Sequence, residues 1–209
     1  MDEYIAQHCS EEHPYLHALW RATHLTLLRP RMASGHVQGT LLRQLVAMQR
    51  PKTVVEIGTF SGYAALAMAS ALEQDDAHLY TFEINDEQEA FTRRWIDESP
   101  WADKVDFILG DVVSLLPEMA LPPIDFAFVD ANKRDYATYY HLLLPLMRRG
   151  AVMLADNTLW NGFVCDPSRH DAQTTAIRQF NDMVAADARV ESLIIPLRDG
   201  LTLIRKIVE

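Results

Sequence analysis

Two apolar runs in this chain each end in an acid. Ile124-Asp125-Phe126-Ala127-Phe128-Val129-Asp130 leads into Ala131-Asn132-Lys133, and Met153-Leu154-Ala155-Asp156 leads directly into Asn157. If both runs are strands, three oxygen ligands and one amine stand at the ends of two strands. Hard oxygen donors suit Mg²⁺, Mn²⁺ or Ca²⁺, not zinc. A lysine beside such an ion is a candidate proton acceptor. Either aspartate alone would read as a cap on a helix or turn, which is a common use of aspartate. The pair, with Lys133 and Asn157 in place, favours a metal site at Asp130, Asp156 and Asn157.

A second constellation lies upstream. Val54-Val55-Glu56-Ile57-Gly58-Thr59-Phe60-Ser61-Gly62-Tyr63 reads as a strand, a glycine turn and the opening of a helix. The turn is G-x-x-x-G. It lacks the close glycine that lets a backbone approach a pyrophosphate, which disfavours a nicotinamide dinucleotide. Glu56 would also be unwelcome beside phosphates. A carboxylate there suits a cofactor with an ammonium group, and S-adenosylmethionine has one, with a sulfonium and no phosphate. Glu83 ends the next strand, where an acid can accept from both hydroxyls of a ribose. Asp111, after Gly110, either meets the adenine amino group or caps the following helix.

These residues need strands to carry them. Apolar runs predict strands at 53–57, 78–84, 104–109, 124–130 and 150–156, each followed by a helical pattern, at 62–73, 86–98, 111–119, 134–148 and 171–187. Such alternation predicts an α/β fold with a mostly parallel sheet covered on both faces. Arg198-Asp199-Gly200 between two apolar runs is a hairpin signal, so the last strand is expected to be antiparallel. Residues 3–50 carry helical spacing, broken by the loop 29–35, and form an N-terminal helical addition. No internal repeat or linker divides the 209 residues, so one domain over 1–209 is expected.

Composition narrows the function classes. A net charge of -10 weighs against a broad nucleic-acid or anionic-membrane footprint. Only Cys9 and Cys165 occur, which disfavours a disulfide scaffold or thiolate zinc site and fits a reducing cytoplasm. The start Met1-Asp2-Glu3 has no apolar core, so no signal peptide is expected, and no run is long enough for a membrane span. Most of the eight histidines, among them His8, His13, His17 and His24 close together in sequence, read as surface or partly buried residues and not as metal ligands. Tyr136, Tyr139 and Tyr140 share a helix face and read as packing.

Four strings together resemble one family: Met32-Ala33-Ser34-Gly35-His36-Val37-Gln38-Gly39, Glu56 through Tyr63, Asp130-Ala131-Asn132-Lys133 and Asp156-Asn157-Thr158-Leu159-Trp160-Asn161-Gly162. They are similar to the metal-dependent class I O-methyltransferases, which include catechol and caffeoyl-CoA O-methyltransferases. The resemblance runs from Met32 to the Asp199–Leu203 stretch. It implies the Rossmann-like S-adenosylmethionine methyltransferase fold, a doubly wound seven-stranded sheet. It implies a divalent ion, usually Mg²⁺, on Asp130, Asp156 and Asn157, with Lys133 as general base and Asp130 and Asn157 in the catalytic set. It places Glu83 on the ribose, Asp111 near the adenine, and Met32 with Glu56, Gly58, Ser61, Gly62 and Tyr63 around the methionine part, with Asp130 beside the cofactor. The implied acceptor is a small aromatic with adjacent hydroxyls, and the implied assembly a homodimer. Trp160 and Phe163 are candidates for the wall of the aryl pocket. Asn132 stands where the animal catechol enzymes carry a large aromatic, so the wall on that side differs. The alternative is a tRNA hydroxyuridine O-methyltransferase, which a basic strip of Arg29, Arg31, Arg43, Arg93 and Arg94 would favour.

Overall fold

The computed structural model describes residues 2–209. Seven strands form one sheet: β1 (Thr53–Ile57), β2 (His78–Glu83), β3 (Val105–Leu109), β4 (Ile124–Val129), β5 (Met147–Asp156), β6 (Val190–Ile195) and β7 (Leu201–Lys206). Their order is β3-β2-β1-β4-β5-β7-β6. β2 runs parallel to β3, β1 to β4, and β4 to β5, while β7 is antiparallel to both β5 and β6. The hairpin signal therefore predicted the reversed strand correctly, although β6 ends at Ile195 and the connecting loop is longer than the three-residue signal. Every residue of β1 and β4 is buried. A parallel strand covered on both faces needs such a continuous run. The strand order turns back between β1 and β4, the kind of switch point at which open α/β sheets take ligands.

The chain gathers into two compact units. The first comprises the described residues up to Lys52 together with Thr59–Asp111. It holds α1 (Asp2–Gln7), α2 (Pro14–Thr26), α3 (Gly35–Gln49), α4 (Tyr63–Ala69), α5 (Glu89–Asp97), β2 and β3. Both α2 and α3 pack on α4, whose Tyr-Ala-Ala-Leu-Ala-Met-Ala sequence is buried all round and so needs no polar face. α3 comes close because residue 39 is glycine: a Cβ there would lie 2.8 Å from the Tyr63 ring. The clustered histidines serve locally. His8 and His24 bond the carbonyls four residues back, and His13 caps α2 through the Tyr15 amide.

The second unit comprises Thr53–Gly58 and Val112–Glu209. It holds β1, β4 to β7, α6 (Val112–Leu115), α7 (Tyr136–Leu143) and α8 (Ala172–Ala186). Asp171 caps α8, its carboxylate accepting from the Thr174 amide at 3.0 Å. Ile177, Phe180 and Val184 turn the helix's apolar stripe inward. Phe180 meets Tyr136 and Tyr140 edge-on, with ring centroids 5.4 and 6.3 Å away. Truncating such a ring to alanine costs roughly 3–5 kcal/mol. α8 also packs against residues 133–135 and 160–165, so one helix supports both segments that carry candidate site residues.

The helix expected over 134–148 is shorter. α7 ends at Leu143, and β5 begins at Met147, earlier than the expected 150. Pro145 explains both differences, because it removes a donor and clashes with the preceding turn. The helix expected over 62–73 likewise ends at Ala69, and that over 111–119 is a four-residue α6 and a 3₁₀ turn. Among the described residues no helix is long and apolar enough to cross a membrane.

Candidate active site

In the second unit, the register of two parallel strands sets the first constellation. Val129 pairs with Ala155, so Asp130 and Asp156 are the next residues on neighbouring chains, which in a parallel pair run about 4.8 Å apart. Asp156 is buried, and Asp130 keeps a fifth of its side chain exposed. The Asp156 carboxylate accepts from the amide of Asn157 at 2.7 Å, and Asn157 takes a left-handed backbone, φ 58°, which asparagine tolerates better than most residues. The Lys133 Nζ donates to Asp130 Oδ1 at 2.7 Å and to the Tyr136 hydroxyl at 2.7 Å. Asn132 caps this turn, accepting from the Arg134 amide and donating to Asp135.

Tyr136 read as packing in the sequence, and it does more. Its ring is 1 % exposed, yet its hydroxyl lies 3.1 Å from the Val129 carbonyl and 2.9 Å from the Asp156 carbonyl. Both carbonyls can only accept, so the hydroxyl's single proton serves them and its oxygen is left to accept from Lys133. Burial first, then the charges of Asp130 and Asp156, hold this phenol well above its usual range, so it stays protonated. One side chain thus ties the ends of β4 and β5 to the lysine. Its spacing, three residues after Lys133 on a helix start, was the available signal.

Gly58 closes the β1 end of the same unit. Its φ is +100°, and a Cβ would fall 2.2 Å from the Asp130 carbonyl oxygen. Only glycine can stand there. The Asp130 amide in turn bonds the Ile57 carbonyl at 2.8 Å. Glu56 is wholly buried within β1.

The first unit holds the second constellation. Glu83 ends β2 and is half-buried, with its two carboxylate oxygens accepting from the Phe60 and Asn85 amides at 2.8 and 2.9 Å. Each oxygen keeps a further lone pair. Phe60 is also held through its carbonyl by the Thr92 hydroxyl. The Ser61 hydroxyl is buried and finds no hydrogen-bond partner among the described residues. Such a group in a turn is a place for a ligand atom or water. Gly62 begins α4. Tyr63 points elsewhere: its hydroxyl bonds Glu12, and burial, then that bond, raise its pKa far above the phenol range. Only its main chain is left for a cofactor. Asp111 stands one residue before α6, where it can still serve either expected role. Met32 ends a short 3₁₀ turn with its side chain half exposed.

Beyond Asn157 the second unit carries an irregular loop. Trp160 and Asn161 have φ of 47° and 54°. The Thr158 and Leu159 amides bond the Gly200 and Asp199 carbonyls at 3.1 and 2.9 Å. Asn181 of α8 donates to the Thr158 carbonyl at 2.8 Å, and the Asp199 carboxylate takes the Asn161 amide. Trp160 and Phe163 are both half-buried here. Among the described residues no three His, Cys, Asp or Glu side chains gather as a metal site. Two carboxylates and one amide make an open set, of the kind that leaves positions for water or substrate oxygens.

Known proteins match this chain over most of its length. A family model described as O-methyltransferase matches residues 6–207. Caffeoyl-CoA O-methyltransferase of Mesembryanthemum crystallinum is 37% identical over 187 residues, covering 84% of this chain and 73% of its own. Caffeoyl-CoA O-methyltransferase 1 of Eucalyptus globulus is 36% identical, with 84% and 75% covered. Among solved structures, the O-methyltransferase TomG of Streptomyces achromogenes, in complex with S-adenosylmethionine, superposes with a TM-score of 0.90 at 31% identity, covering 99% of this chain and 96% of that one. The methyltransferase PaMTH1 of Podospora anserina, bound to S-adenosylhomocysteine, gives 0.90 at 26%, with 99% and 94% covered. With nearly its whole length matched by the family model, this chain belongs to the O-methyltransferase family.

Proposed function

We propose that this enzyme takes a methyl group from S-adenosylmethionine and delivers it to one of two adjacent hydroxyls on a small aromatic acceptor of the catechol or caffeoyl type, with a divalent ion, Mg²⁺ before Mn²⁺ or Ca²⁺. The observation that carries the reading is the Lys133 amine held between Asp130 and Tyr136 at the ends of β4 and β5. The donor set fits the ion: Asp130, Asp156 and Asn157 offer hard oxygens only. The cofactor half fits as well. Glu83 keeps lone pairs for two ribose hydroxyls, and Ser61 has a buried hydroxyl to satisfy.

When bound, the ion would supply positive charge that favours an ionised acceptor oxygen. A phenol near pKa 10 is mostly protonated at neutral pH, so a base is needed. Lys133, as the free amine, takes the acceptor's proton at Nζ. The resulting ammonium then has two ready acceptors, Asp130 Oδ1 and the Tyr136 hydroxyl, both at 2.7 Å. The Tyr136 hydroxyl keeps Nζ from swinging away, because its own proton is committed to backbone carbonyls. Aligning acceptor and methyl group contributes much of the remaining acceleration, up to about 7–11 kcal/mol in well-oriented systems.

The test is one assay with labelled S-adenosylmethionine. Catechol, caffeoyl-CoA, the matching monophenols and hydroxylated tRNA are compared with Mg²⁺ and with chelator. Vicinal diols should be methylated far faster than monophenols, and chelator should remove the activity. Fast monophenol turnover that ignores chelator would overturn the metal role, and methylation confined to tRNA would replace the acceptor class. A homodimer in the cytoplasm completes the reading. The two unpaired thiols, Cys9 and Cys165, accord with a reducing compartment, and sedimentation of the purified protein tests the assembly.

A further inference from the structure

Arg178, on α8, makes an unusual set of contacts for a surface-reaching arginine. Its Nε donates to the Val164 carbonyl at 2.9 Å, its Nη1 to the Arg169 carbonyl at 2.7 Å, and its Nη2 to the Phe163 carbonyl at 2.7 Å and to the Asp166 carbonyl. Four main-chain oxygens from one stretch of seven residues converge on one guanidinium. That stretch needs a holder. It follows a run of left-handed residues, Asn157, Trp160, Asn161 and Gly162, and its own main-chain bonds are few: the Phe163 and Asp166 carbonyls accept from the Asp166 and Arg169 amides at 3.1 Å, and Arg178 adds a second donor to each. A cation at the carbonyl end of a turn is also favoured by the backbone dipoles. Arg169 reinforces the same stretch by lying over the Phe163 ring, 4.1 Å from its centroid.

We propose that Arg178 is a positioning residue for the acceptor: it clamps residues 163–169 through their carbonyls, fixes the loop that carries Trp160 and Phe163, and makes acceptor affinity, and not cofactor affinity, depend on it. The inference rests on the acceptor reading proposed above, which gives that loop to the aryl group. The chemistry requires arginine. A planar fork with five donors can span four carbonyls, whereas a lysine ammonium places three donors around one point. The clamp belongs to the helix that also supports the Lys133 turn, so the loop and the base share one rigid mount.

Two variants test it, Arg178→Ala and Arg178→Lys, each beside the wild-type protein. The first readout is limited trypsin digestion, because Arg169 is exposed inside the clamped stretch. Both variants should be cut after Arg169 about tenfold faster than wild type, as expected when a local opening becomes easier. The second is steady-state kinetics with a vicinal diol. The acceptor KM should rise about tenfold with kcat changed far less, the pattern of lost positioning contacts that serve ground state and transition state alike. The third is calorimetry with S-adenosylhomocysteine, whose affinity should stay at the wild-type value. If Arg178→Ala does not fold, Arg178→Lys carries the test. Wild-type behaviour of the lysine variant in digestion and KM would overturn the clamp, since charge alone would then suffice. Faster cleavage with an unchanged acceptor KM would overturn the positioning role. If wild type methylates no vicinal diol, the acceptor reading has failed, and the digestion still decides the clamp: equal cleavage overturns it.

Discussion

Two glycine-bearing turns invite comparison, the one at Gly58–Gly62 after β1 and the one around Gly162 after β5. Both use left-handed backbone. At Gly58 an added Cβ would strike the Asp130 carbonyl oxygen at 2.2 Å, whereas at Gly162 nothing lies within 4 Å. In the first turn Gly58 is pressed against the Asp130 main chain, and the side chains of Glu83 and Thr92 hold Phe60. The second turn has room at its glycine; main-chain bonds join Thr158 and Leu159 to Gly200 and Asp199, and side chains of α8 and of the β6–β7 connection hold the rest. A glycine pressed against backbone admits no other residue. A glycine with room around it can be replaced. On the reading proposed above, the unyielding turn serves the cofactor and the tolerant one the acceptor.

The largest expected effect separates chemistry from binding. Lys133→Ala should lower turnover by roughly 10²–10⁴-fold, the usual worth of a general base, with S-adenosylhomocysteine affinity unchanged by calorimetry. Equal losses in both would erase the distinction between the two sides. Next comes Gly58→Ala, which combines a forbidden backbone with a collision and should cost roughly 3–5 kcal/mol in denaturant unfolding. A mild effect there would show that the first turn is as adaptable as the second. Glu83→Gln should weaken cofactor affinity by about 10–100-fold, because hydrogen bonds to a charged group are worth about 1.5–3 kcal/mol, while leaving the acceptor KM alone. The smallest effect belongs to Gly162→Ala, about 1 kcal/mol for the left-handed residue with no clash to add. Should Gly162→Ala prove as damaging as Gly58→Ala, the contrast drawn from their surroundings would be wrong.

Much of this architecture was legible in the residues. The buried runs of β1 and β4 are continuous because both faces are covered, and that texture announced a parallel sheet. Asp130 and Asp156 could be placed at strand ends because each closes an apolar run. Their adjacency needed the register of Val129 with Ala155, which no single strand reveals. The end of α7 was misjudged although Pro145 was in plain view, because apolar spacing ran on through Leu144 and Met147. Tyr136 was read as packing because periodicity reports which face is buried and says nothing of a hydroxyl at the far end of a ring. Tyr63 looked like a cofactor contact from its place after Gly62, yet its side chain turns to Glu12 in the helical layer. Arg178 gave no sign at all. Its partners are carbonyls, which every residue has, so sequence spacing cannot single them out.

That last property has an evolutionary consequence. Because the guanidinium's hydrogen bonds to this segment go to main-chain oxygens, they do not depend on which side chains the segment carries, although the Asp166 carboxylate also feels its charge. Mutations at positions 163–169 can therefore accumulate without releasing the segment, so long as the backbone keeps its path. Diversification toward new acceptors would not require a new fastening each time, and libraries randomised at those positions should retain a high fraction of folded members.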